Sequence, residues 1–318
     1  MLDPLGAQLS WRNPEPAPAV AALAHLAPDR TAAPALGRGH ACASFGEIAQ
    51  GRRCDGEDFL ITLPVALWSR CRIRLEPIVG PSRVEAPLPK SRGVAEKLLH
   101  MLGAERGIRL RLALERDMPI GKGLSSSTAD MLAVVRACQE LFGAVLSEDT
   151  ISRLFAGIEP HDPLHYPMSV AYNHRRGRLL ARLDYVPDFH IVGVDAGGMI
   201  CTERYNQCLD FSPTWIDLYQ GLYERVLAAF ARHDDAAIAR CAWHAAELHV
   251  ARTGHRLLRR LLAQAEGMDV LGVLPTHSGT CGGILLPGNV DAAKLDAVQA
   301  QVQHLGRVFR TRTLRTQP

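Results

Sequence analysis

Apolar and polar residues alternate along two stretches of the first half of the chain, RCRIRLE (70–76) and IRLRLALE (108–115). A period of two predicts strands that bury one face, and the apolar run FLITL (59–63) also fits a strand. TADMLAVVRACQELF (128–142) runs without glycine or proline up to Gly143 and predicts a helix. This half of the chain therefore predicts strands, then a turn rich in glycine and serine, then a long helix.

The same patterns predict further elements along the rest of the chain. Helices are expected at 93–102, 148–156, 215–232, 234–251, 253–266 and 290–304. Strands are expected at FHIVGVDA (189–196), on both sides of the glycine-rich turn in VLGVLPTHSGTCGGILLPG (270–288), and at RVFRTRTL (307–314). Residues 1–37 are rich in proline and alanine with little periodicity, so they predict a mobile extension.

Length and composition narrow the class of protein. A chain of 318 residues favours two domains, and neither its apolar fraction of 47% nor any single apolar run suggests a membrane protein. The net charge is only +3 and the arginines are interspersed with acids, which argues against a nucleic-acid partner. The 8 cysteines form no C-x-x-C pair, so we expect reduced thiols in a cytoplasmic protein rather than a zinc ribbon.

The turn before the long helix, PIGKGLSSSTAD (119–130), is built mainly from glycine, serine and threonine. A helix N-terminus exposes unpaired backbone N–H groups and glycine lets a ligand approach the backbone, so this turn suits a phosphate. The spacing is not that of a Walker A loop. The simpler interpretation is a tight turn followed by a helix that the serines at 125–127 cap.

The string P-x-x-x-G-L-S-S-S-x-A resembles the ATP-binding motif of the GHMP kinases, the superfamily of galactokinase, homoserine kinase, mevalonate kinase and phosphomevalonate kinase. Ser125 stands where glycine is commoner in that motif. Two more segments resemble the superfamily's other motifs in the same order, CASFGEIAQG (42–51) on the substrate side and THSGTCGGIL (276–285) against the phosphates. The resemblance implies a two-domain α+β fold, with a ribosomal protein S5 domain 2-like ATP-binding domain at 38–186 and a ferredoxin-like domain at 187–318.

Within the superfamily the chain most resembles the L-threonine kinases of cobamide (vitamin B12) biosynthesis. The likeness rests on GEIAQG, FLITLPVALWS, PIGKGLSSSTAD, EPHD, TERY (202–205) and VLPTHSGTCGGILL. Those enzymes have an E-P-T-D-S-T pattern where this chain reads EPHDPL (159–164). Both acids are kept, but His161 and Pro163 replace small hydroxyl residues, so the identity of the acceptor alcohol stays open.

The resemblance implies a role for each matching residue. ATP is expected between the two domains, in contact with Pro119, Gly121, Gly123, Leu124, Ser125, Ser126, Ser127, Thr128, Gly279 and Gly282. Mg²⁺ is expected on Ser127 and Glu159, and the expected catalytic residues are Asp162, Ser127 and Lys122. The residues expected to face the acceptor are Glu47, Gln50, His161 and Ser278.

Each of these residues also has a simpler interpretation. Ser127 could be a plain N-cap, and Asp162 could stabilise a turn. Glu159 and Lys122 could be solvated loop residues, and Glu47 and Gln50 could be capping or surface residues. His161 and His165 could be read as zinc ligands, but Pro163 between them prevents a shared helix face.

The resemblance predicts transfer of the γ-phosphoryl group from Mg-ATP to the hydroxyl of a small, amino-acid-like alcohol. L-Threonine, giving O-phospho-L-threonine for cobamide assembly, is the expected acceptor, and serine, homoserine or a specialised metabolite are the alternatives. A protein of another class, which binds a small ligand on the same fold without catalysis, would be favoured if Asp162 faced away from the phosphate loop. We expect a monomer or homodimer with no nucleic-acid or membrane partner.

Overall fold

The computed structural model describes residues 35–198, 212–276 and 279–315. Six strands in its first part form one sheet: β1 (Ala35–Arg52), β2 (Asp58–Pro81), β3 (Arg83–Glu85), β4 (Arg106–Arg116), β5 (Val170–Asn173) and β6 (Arg178–Arg182). The strand order is β3-β4-β2-β5-β6, and β1 pairs antiparallel with β2. β3 and β4 are parallel to each other, and the other pairs in this sheet are antiparallel.

The alternating segments predicted from the sequence lie in this sheet. In β2 the residues Cys71, Ile73 and Leu75 are buried, while the arginines between them are exposed. FLITL and RCRIRLE, predicted as separate strands, are parts of the same strand β2. They form one strand because both segments pair with β1, and this pairing continues from one segment to the other through a few β-bulges.

Seven α-helices lie in the described residues. They are α1 (Pro89–Met101), α2 (Ser126–Phe142), α3 (Glu148–Ala156), α4 (Pro213–Ala231), α5 (Asp235–Thr253), α6 (Arg256–Ala265) and α7 (Ala292–Val302), the last followed by a 3₁₀ turn (Gln303–Leu305). Every helix expected from the sequence is present, with ends that differ by a few residues. No helix in the ranges that the structure describes is long and apolar enough to cross a membrane.

The long helix α2 lies directly on β1. A Cβ added to Gly39 would sit 2.2 Å from the Ala133 carbonyl oxygen, and one added to Gly37 would sit 2.3 Å from that of Ala137. Only glycine allows this close approach of helix to strand. The contact fixes α2 against the first sheet and thereby places its N-terminus.

Four strands form the second sheet: β7 (Phe189–Asp195), β8 (Gly272–Pro275), β9 (Cys281–Pro287) and β10 (Arg307–Arg312). They are antiparallel in the order β10-β7-β9-β8. Helices α4 to α6 connect β7 to β8, and α7 connects β9 to β10. This order and these connections are those of a ferredoxin-like sheet, as the resemblance implied.

Phe45 of β1 packs against the second sheet. Its ring stacks on Phe309 of β10 with centroids 5.8 Å apart. Cβ atoms added to Gly193 and Gly283 would lie 2.8 and 2.9 Å from the same ring. The segment that carries the first motif is therefore held at the junction of the two sheets.

Several strands were not predicted from the sequence. Residues 41–49 of β1 are all buried, so this strand shows no alternation of apolar and polar positions. β3, β5 and β6 have 3, 4 and 5 residues, which is too short for a period of two to stand out.

Candidate active site

Three loops that are far apart in the sequence meet at the N-terminus of α2. The Gly46 N–H donates a hydrogen bond to the Gly123 carbonyl oxygen (3.3 Å). A Cβ on Gly123 would lie 2.6 Å from Thr276 Cβ, and one on Gly279 would lie 2.1 Å from the Lys122 carbonyl oxygen. The three glycine-containing segments that resemble kinase motifs therefore lie against one another.

The turn before α2 passes through backbone conformations that favour glycine. Gly121 and Gly123 have φ of 71° and 76°, and Ser125 has a φ of 52°. The helix begins at Ser126 with Ser125 as its N-cap residue, but the Ser125 side chain accepts no hydrogen bond from the first turn. The expected cap by a serine hydroxyl is therefore wrong, and the positive end of the helix dipole faces the turn without that cap.

Ser127 and Glu159 lie side by side at the start of α2. The Ser127 hydroxyl donates a hydrogen bond to the Glu159 carboxylate, which also accepts one from the ammonium group of Lys90 in α1. The Glu159 side chain is only 11% exposed, so it is not the solvated loop acid of the simpler interpretation. The two oxygen-bearing side chains expected at a metal site are thus in contact.

The chemistry of this pair fits Mg²⁺. Proteins commonly bind this ion through one or two carboxylates together with substrate phosphates. The ion pair with Lys90 shows that the Glu159 carboxylate already attracts a positive charge in this environment. In the described ranges, at this turn as elsewhere, no group of three or more His, Cys, Asp or Glu side chains could hold a metal ion. This argues against zinc on His161 and His165, and it means that Mg²⁺ at this turn would need phosphate oxygens beside Ser127 and Glu159.

Asp162 faces the start of α2. Its backbone N–H donates to Thr128 Oγ1 (3.3 Å), which places Asp162 beside the first turn of α2. Burial, followed by the negative charge of Glu47, raises the pKa of Asp162 to about 7, although the Ser125 hydroxyl acts in the opposite direction. This orientation argues against the non-catalytic alternative, which would have Asp162 facing away from the phosphate loop.

Lys122 is buried and tied to the second sheet. Its ammonium group donates to Asp195 Oδ1 (2.9 Å) and to the Gly198 carbonyl oxygen. The Thr280 hydroxyl donates to the same Asp195 oxygen (2.9 Å). Burial would raise the pKa of Asp195, but the hydrogen bonds from Lys122, the Gly197 N–H and Thr280 outweigh it and hold that pKa low. The interpretation of Lys122 as a solvated loop residue is therefore wrong.

The side chain of His161 is turned into the protein and is 2% exposed. Its Nε2 bonds to the Tyr172 hydroxyl (2.7 Å), which donates to Ser152 (3.0 Å), and Ser152 in turn bonds to His165 Nε2 (2.7 Å). Burial lowers the pKa of His161 to about 4 and that of His165 to about 3, so both rings are neutral at pH 7. This corrects the prediction that the His161 side chain faces the acceptor.

Two residues expected at ATP, Gly282 and Leu124, are packed inside the protein. A Cβ on Gly282 would lie 2.6 Å from Leu261 and 2.9 Å from Leu258, so this glycine lets α6 pack on β9, and its contact with ATP stays a prediction. Leu124 is 1% exposed within the core and can reach a ligand only through its backbone.

For the remaining expected residues the structure gives position and burial, which do not decide their roles. Pro119 is exposed where the chain enters the turn, and Ser126 is buried at the first position of α2. Glu47 is buried in β1, and Gln50 is half-buried three residues further along the same strand. Ser278 and the segment 202–205 lie outside the described residues, so the role of Ser278 stays a prediction.

Four polar residues that contact the site were not anticipated: Ser44, Lys90, Asp195 and Thr280. Ser44 and Thr280 lie in the segments 42–51 and 276–285 that resemble kinase motifs, and the lysine content gives a signal for Lys90. The chain has just four lysines, at 90, 97, 122 and 294, against many arginines. A lysine retained in such a chain is a candidate for a specific role, and two of the four lie at this site.

Comparison with known proteins finds one family match and several enzyme relatives. Residues 90–169 match the family described as GHMP kinases N terminal domain. An L-threonine kinase of Citrobacter freundii is 26% identical over 259 residues, which cover 78% of this chain and 85% of that protein. A 4-diphosphocytidyl-2-C-methyl-D-erythritol kinase of Moorella thermoacetica is 29% identical over 202 residues, 59% of this chain and 68% of that protein.

A solved structure shows the fold. The crystal structure of homoserine kinase from Cytophaga hutchinsonii superposes with a TM-score of 0.67 over 89% of this chain and 95% of that chain, at 16% sequence identity. At this identity the likeness establishes the architecture, and the chemistry has to be argued from the site itself.

Proposed function

We propose that the chain is an ATP-dependent kinase acting on the hydroxyl of a small, amino-acid-like alcohol. The match of residues 90–169 to the family described as GHMP kinases N terminal domain and the fold shared with a homoserine kinase support this. One observation carries the proposal: the Ser127–Glu159 pair and the Asp162 carboxylate both lie at the turn before α2. Phosphoryl transfer requires positioned phosphates, charge neutralisation and a group that orients the acceptor. The residues at this turn have the chemistry for each of these tasks.

The phosphates of ATP are bound by the glycine turn and the N-terminus of α2. Gly121 and Gly123 adopt the positive φ angles that this turn requires, and the helix dipole favours negative charge at this end. Lys122 adds a positive charge that Asp195 holds in a fixed position. The interactions are strong because the groups that supply them are already ordered before ATP binds.

Ser127 and Glu159 would hold Mg²⁺ together with phosphate oxygens. When bound, the ion neutralises the charge that develops on the transferred phosphoryl group. The Ser127 hydroxyl and the Glu159 carboxylate are already in contact, so little rearrangement of the chain is needed to present both oxygens.

Asp162 accepts the proton of the acceptor hydroxyl. The hydroxyl oxygen forms a bond to the γ-phosphorus, and the bond from that phosphorus to the bridging oxygen of ADP breaks. A pKa raised to about 7 makes Asp162 a stronger base than an ordinary aspartate, while leaving a large ionised fraction at neutral pH. Thr128, through the backbone of Asp162, keeps this carboxylate at the turn.

L-Threonine is the proposed acceptor, giving O-phospho-L-threonine for the aminopropanol linker of cobamides. The similarity to an L-threonine kinase supports it. The position of His161 is compatible with it, because this side chain, one of those that depart from the E-P-T-D-S-T pattern, is buried and bonds to Tyr172. Serine, homoserine and other small alcohols remain the alternatives.

Further parts of the proposal rest on the sequence. They are the division into domains at 38–186 and 187–318, action as a monomer or homodimer in the cytoplasm, and the lack of a nucleic-acid or membrane partner.

A substrate panel tests the proposed function. Purified protein is incubated with Mg-ATP and, separately, L-threonine, L-serine, L-homoserine, D-threonine and aminopropanol, and ADP release is followed with the mass of any phosphorylated product. We expect a selective signal with L-threonine. Activity with another alcohol alone would support a kinase and argue against a role in cobamide assembly. No activity with any of the five compounds would favour the non-catalytic alternative.

The activity should depend on pH through Asp162. Since the carboxylate must be ionised to accept a proton and its pKa is about 7, kcat/KM should rise as the pH increases through about 7. Glu47 raises that pKa by its charge, so Glu47→Gln should move the rising limb to lower pH. The measurement is a pH profile of kcat/KM for the acceptor in both proteins; a limb that does not move would show that Glu47 does not act on the titrating group.

A further inference from the structure

Asp130 is a buried acid that the proposed mechanism does not use. It lies in the second turn of α2 and is 2% exposed. Its carboxylate accepts hydrogen bonds from Arg116 Nε (3.2 Å), Arg116 Nη2 (2.9 Å) and Ser69 Oγ (2.6 Å). Burying a carboxylate is unfavourable unless such partners compensate, and apolar residues of similar volume often give equal stability. A role other than stability is therefore needed to explain this ion pair.

Arg116 and Asp130 lie at the two ends of the glycine turn. Arg116 is the last residue of β4 and α2 begins at Ser126, so the ion pair joins residues 14 apart across the base of the turn. Ser69 brings in a third element, because it lies opposite Arg116 where β2 pairs with β4. The Asp130 carboxylate therefore attaches α2 to β4, which leads into the turn, and to its neighbour β2.

The start of α2 depends on contacts other than a side-chain cap. Ser125 is the N-cap residue, but its hydroxyl bonds to Ser44 in β1 and not to the first turn of the helix. The close contacts of α2 with β1 lie further along the helix, at Ala133 and Ala137. Asp130 is nearer the N-terminus, and a two-pronged bond from arginine to a carboxylate fixes direction as well as distance.

The orientation of α2 matters because its first turn carries contacts of the site. Ser127 bonds to the Glu159 carboxylate, and Thr128 accepts a hydrogen bond from the backbone N–H of Asp162. Asp130 lies three residues after Ser127, which places the two side chains on neighbouring positions of the helix surface. A shift of α2 at Asp130 would therefore move Ser127 and the first N–H groups of the helix away from the glycine turn.

The ion pair does not compete with a phosphate at the helix N-terminus. The first turn of α2 contains no acidic residue, and Asp130 lies beyond the N–H groups that a phosphate would contact. The charge of Arg116, 2.9 Å away, offsets that of the carboxylate. The pair can thus hold the helix while leaving its positive end to the ligand.

We propose that Asp130 is a positioning residue for ATP: its ion pair with Arg116 closes the glycine turn at its base and holds the N-terminus of α2, with Ser127, against the phosphates. This inference rests on the proposed function. Asp130 acts without touching ATP, through the backbone of α2 and through Ser127.

Asp130→Asn keeps the size of the side chain but removes the charge that pairs with Arg116. We expect kcat/KM for ATP to fall by about 10- to 100-fold, mainly through a higher KM, because small displacements of positioning groups have effects of this size. The KM for the acceptor should stay within about twofold of the wild-type value. A merely structural role would lower Tm without this selective effect on ATP. The measurements are steady-state kinetics and calorimetric titration with Mg-ATP.

Asp58→Asn is the matched control. Asp58 is 8% exposed and accepts two hydrogen bonds from Arg52, from Nε (2.8 Å) and Nη2 (3.3 Å), where β1 ends and β2 begins. This variant should also lower Tm but keep the wild-type KM for ATP. If Asp130→Asn fails to fold, Ser69→Ala removes a single hydrogen bond to the same carboxylate. It should raise the KM for ATP by about 2- to 10-fold.

Hydrogen exchange in the protein without ATP separates this proposal from the proposed function. Peptides that cover residues 117–128 should exchange about tenfold faster or more in Asp130→Asn, and at the wild-type rate in Asp58→Asn, whether or not the panel finds an acceptor. Faster exchange, with a wild-type protein that binds no Mg-ATP, would support closure of the turn by the ion pair and refute the kinase. Unchanged exchange and an unchanged Kd for Mg-ATP in Asp130→Asn would overturn the proposal.

Discussion

Replacing Asp162 with asparagine is expected to lower kcat by about 100- to 10,000-fold, the range typical for loss of a general base. The KM for ATP should stay within about twofold of the wild-type value, because Asp162 is on the acceptor side and the glycine turn is unaffected. Asparagine keeps the size of the side chain, but it cannot take a proton from the acceptor. Steady-state kinetics with ATP and acceptor varied separately measure both constants.

The same substitution should stabilise the protein. A folded-state pKa of about 7, against an ordinary value near 4, means that ionised Asp162 destabilises the folded state above neutral pH. We therefore expect Asp162→Asn to increase the free energy of unfolding by about 1–3 kcal/mol at pH 8. The gain should shrink as the pH falls from 7 towards 4, because the wild-type carboxyl is then protonated in the folded protein.

The turnover of Asp162→Asn tests the catalytic role of Asp162, and its stability tests whether the ionised carboxylate destabilises the fold. Wild-type turnover in Asp162→Asn would remove this residue from the mechanism, whatever its effect on stability. A variant that is inactive but no more stable at pH 8 would keep the catalytic assignment and show that the site tolerates the ionised carboxylate. Thermal unfolding of both proteins at pH 5 and pH 8 gives the comparison.

Glu159→Gln is expected to raise the Mg²⁺ concentration needed for half-maximal activity by more than about tenfold, with a fall in kcat at saturating ATP. The amide keeps the shape of the side chain but removes the charge that a hard cation requires. Even partners outside the coordination sphere are typically worth 10- to 100-fold in metal affinity, so a direct ligand should be worth at least as much. The measurement is a Mg²⁺ titration at fixed ATP.

Glu57 provides the matched control for this substitution. Its side chain is 14% exposed, close to the 11% of Glu159, and it pairs with Arg176 and Arg178 rather than with residues of the site. Glu57→Gln should therefore affect folding stability without changing the Mg²⁺ requirement. An equal Mg²⁺ dependence in Glu159→Gln and wild-type protein would exclude Glu159 as a metal ligand.

Elements with strong periodicity were predictable from the sequence. RCRIRLE alternates because one face of its strand is buried, and the α2 segment runs without glycine or proline because it forms one long helix; both predictions are confirmed. Strand β1 was not recognised because residues 41–49 are buried on both faces. β3, β5 and β6 escaped notice because they are too short for a pattern.

Side-chain direction in the loops could not be predicted in the same way. His161 sits between two acids that face the site, yet its ring joins Tyr172 and Ser152 in the interior. Gly282 belongs to a glycine-rich motif, yet it serves the packing of α6 on β9. Neither the direction of the His161 ring nor the packing role of Gly282 is indicated by the neighbouring sequence, because each depends on the residues that lie opposite in the folded chain.

The sequence by itself determined the principal helices and strands and the order of the three segments that resemble kinase motifs, because periodicity and glycine content are local properties. Only the tertiary structure decided which side chains meet. Lys90 and Glu159 are 69 residues apart, and Lys122 and Asp195 are 73 residues apart. Such pairs arise from the packing of α1 and α2 on the first sheet and from the contact between the two sheets, and this packing holds Ser125, Ser127 and Asp162 at one turn.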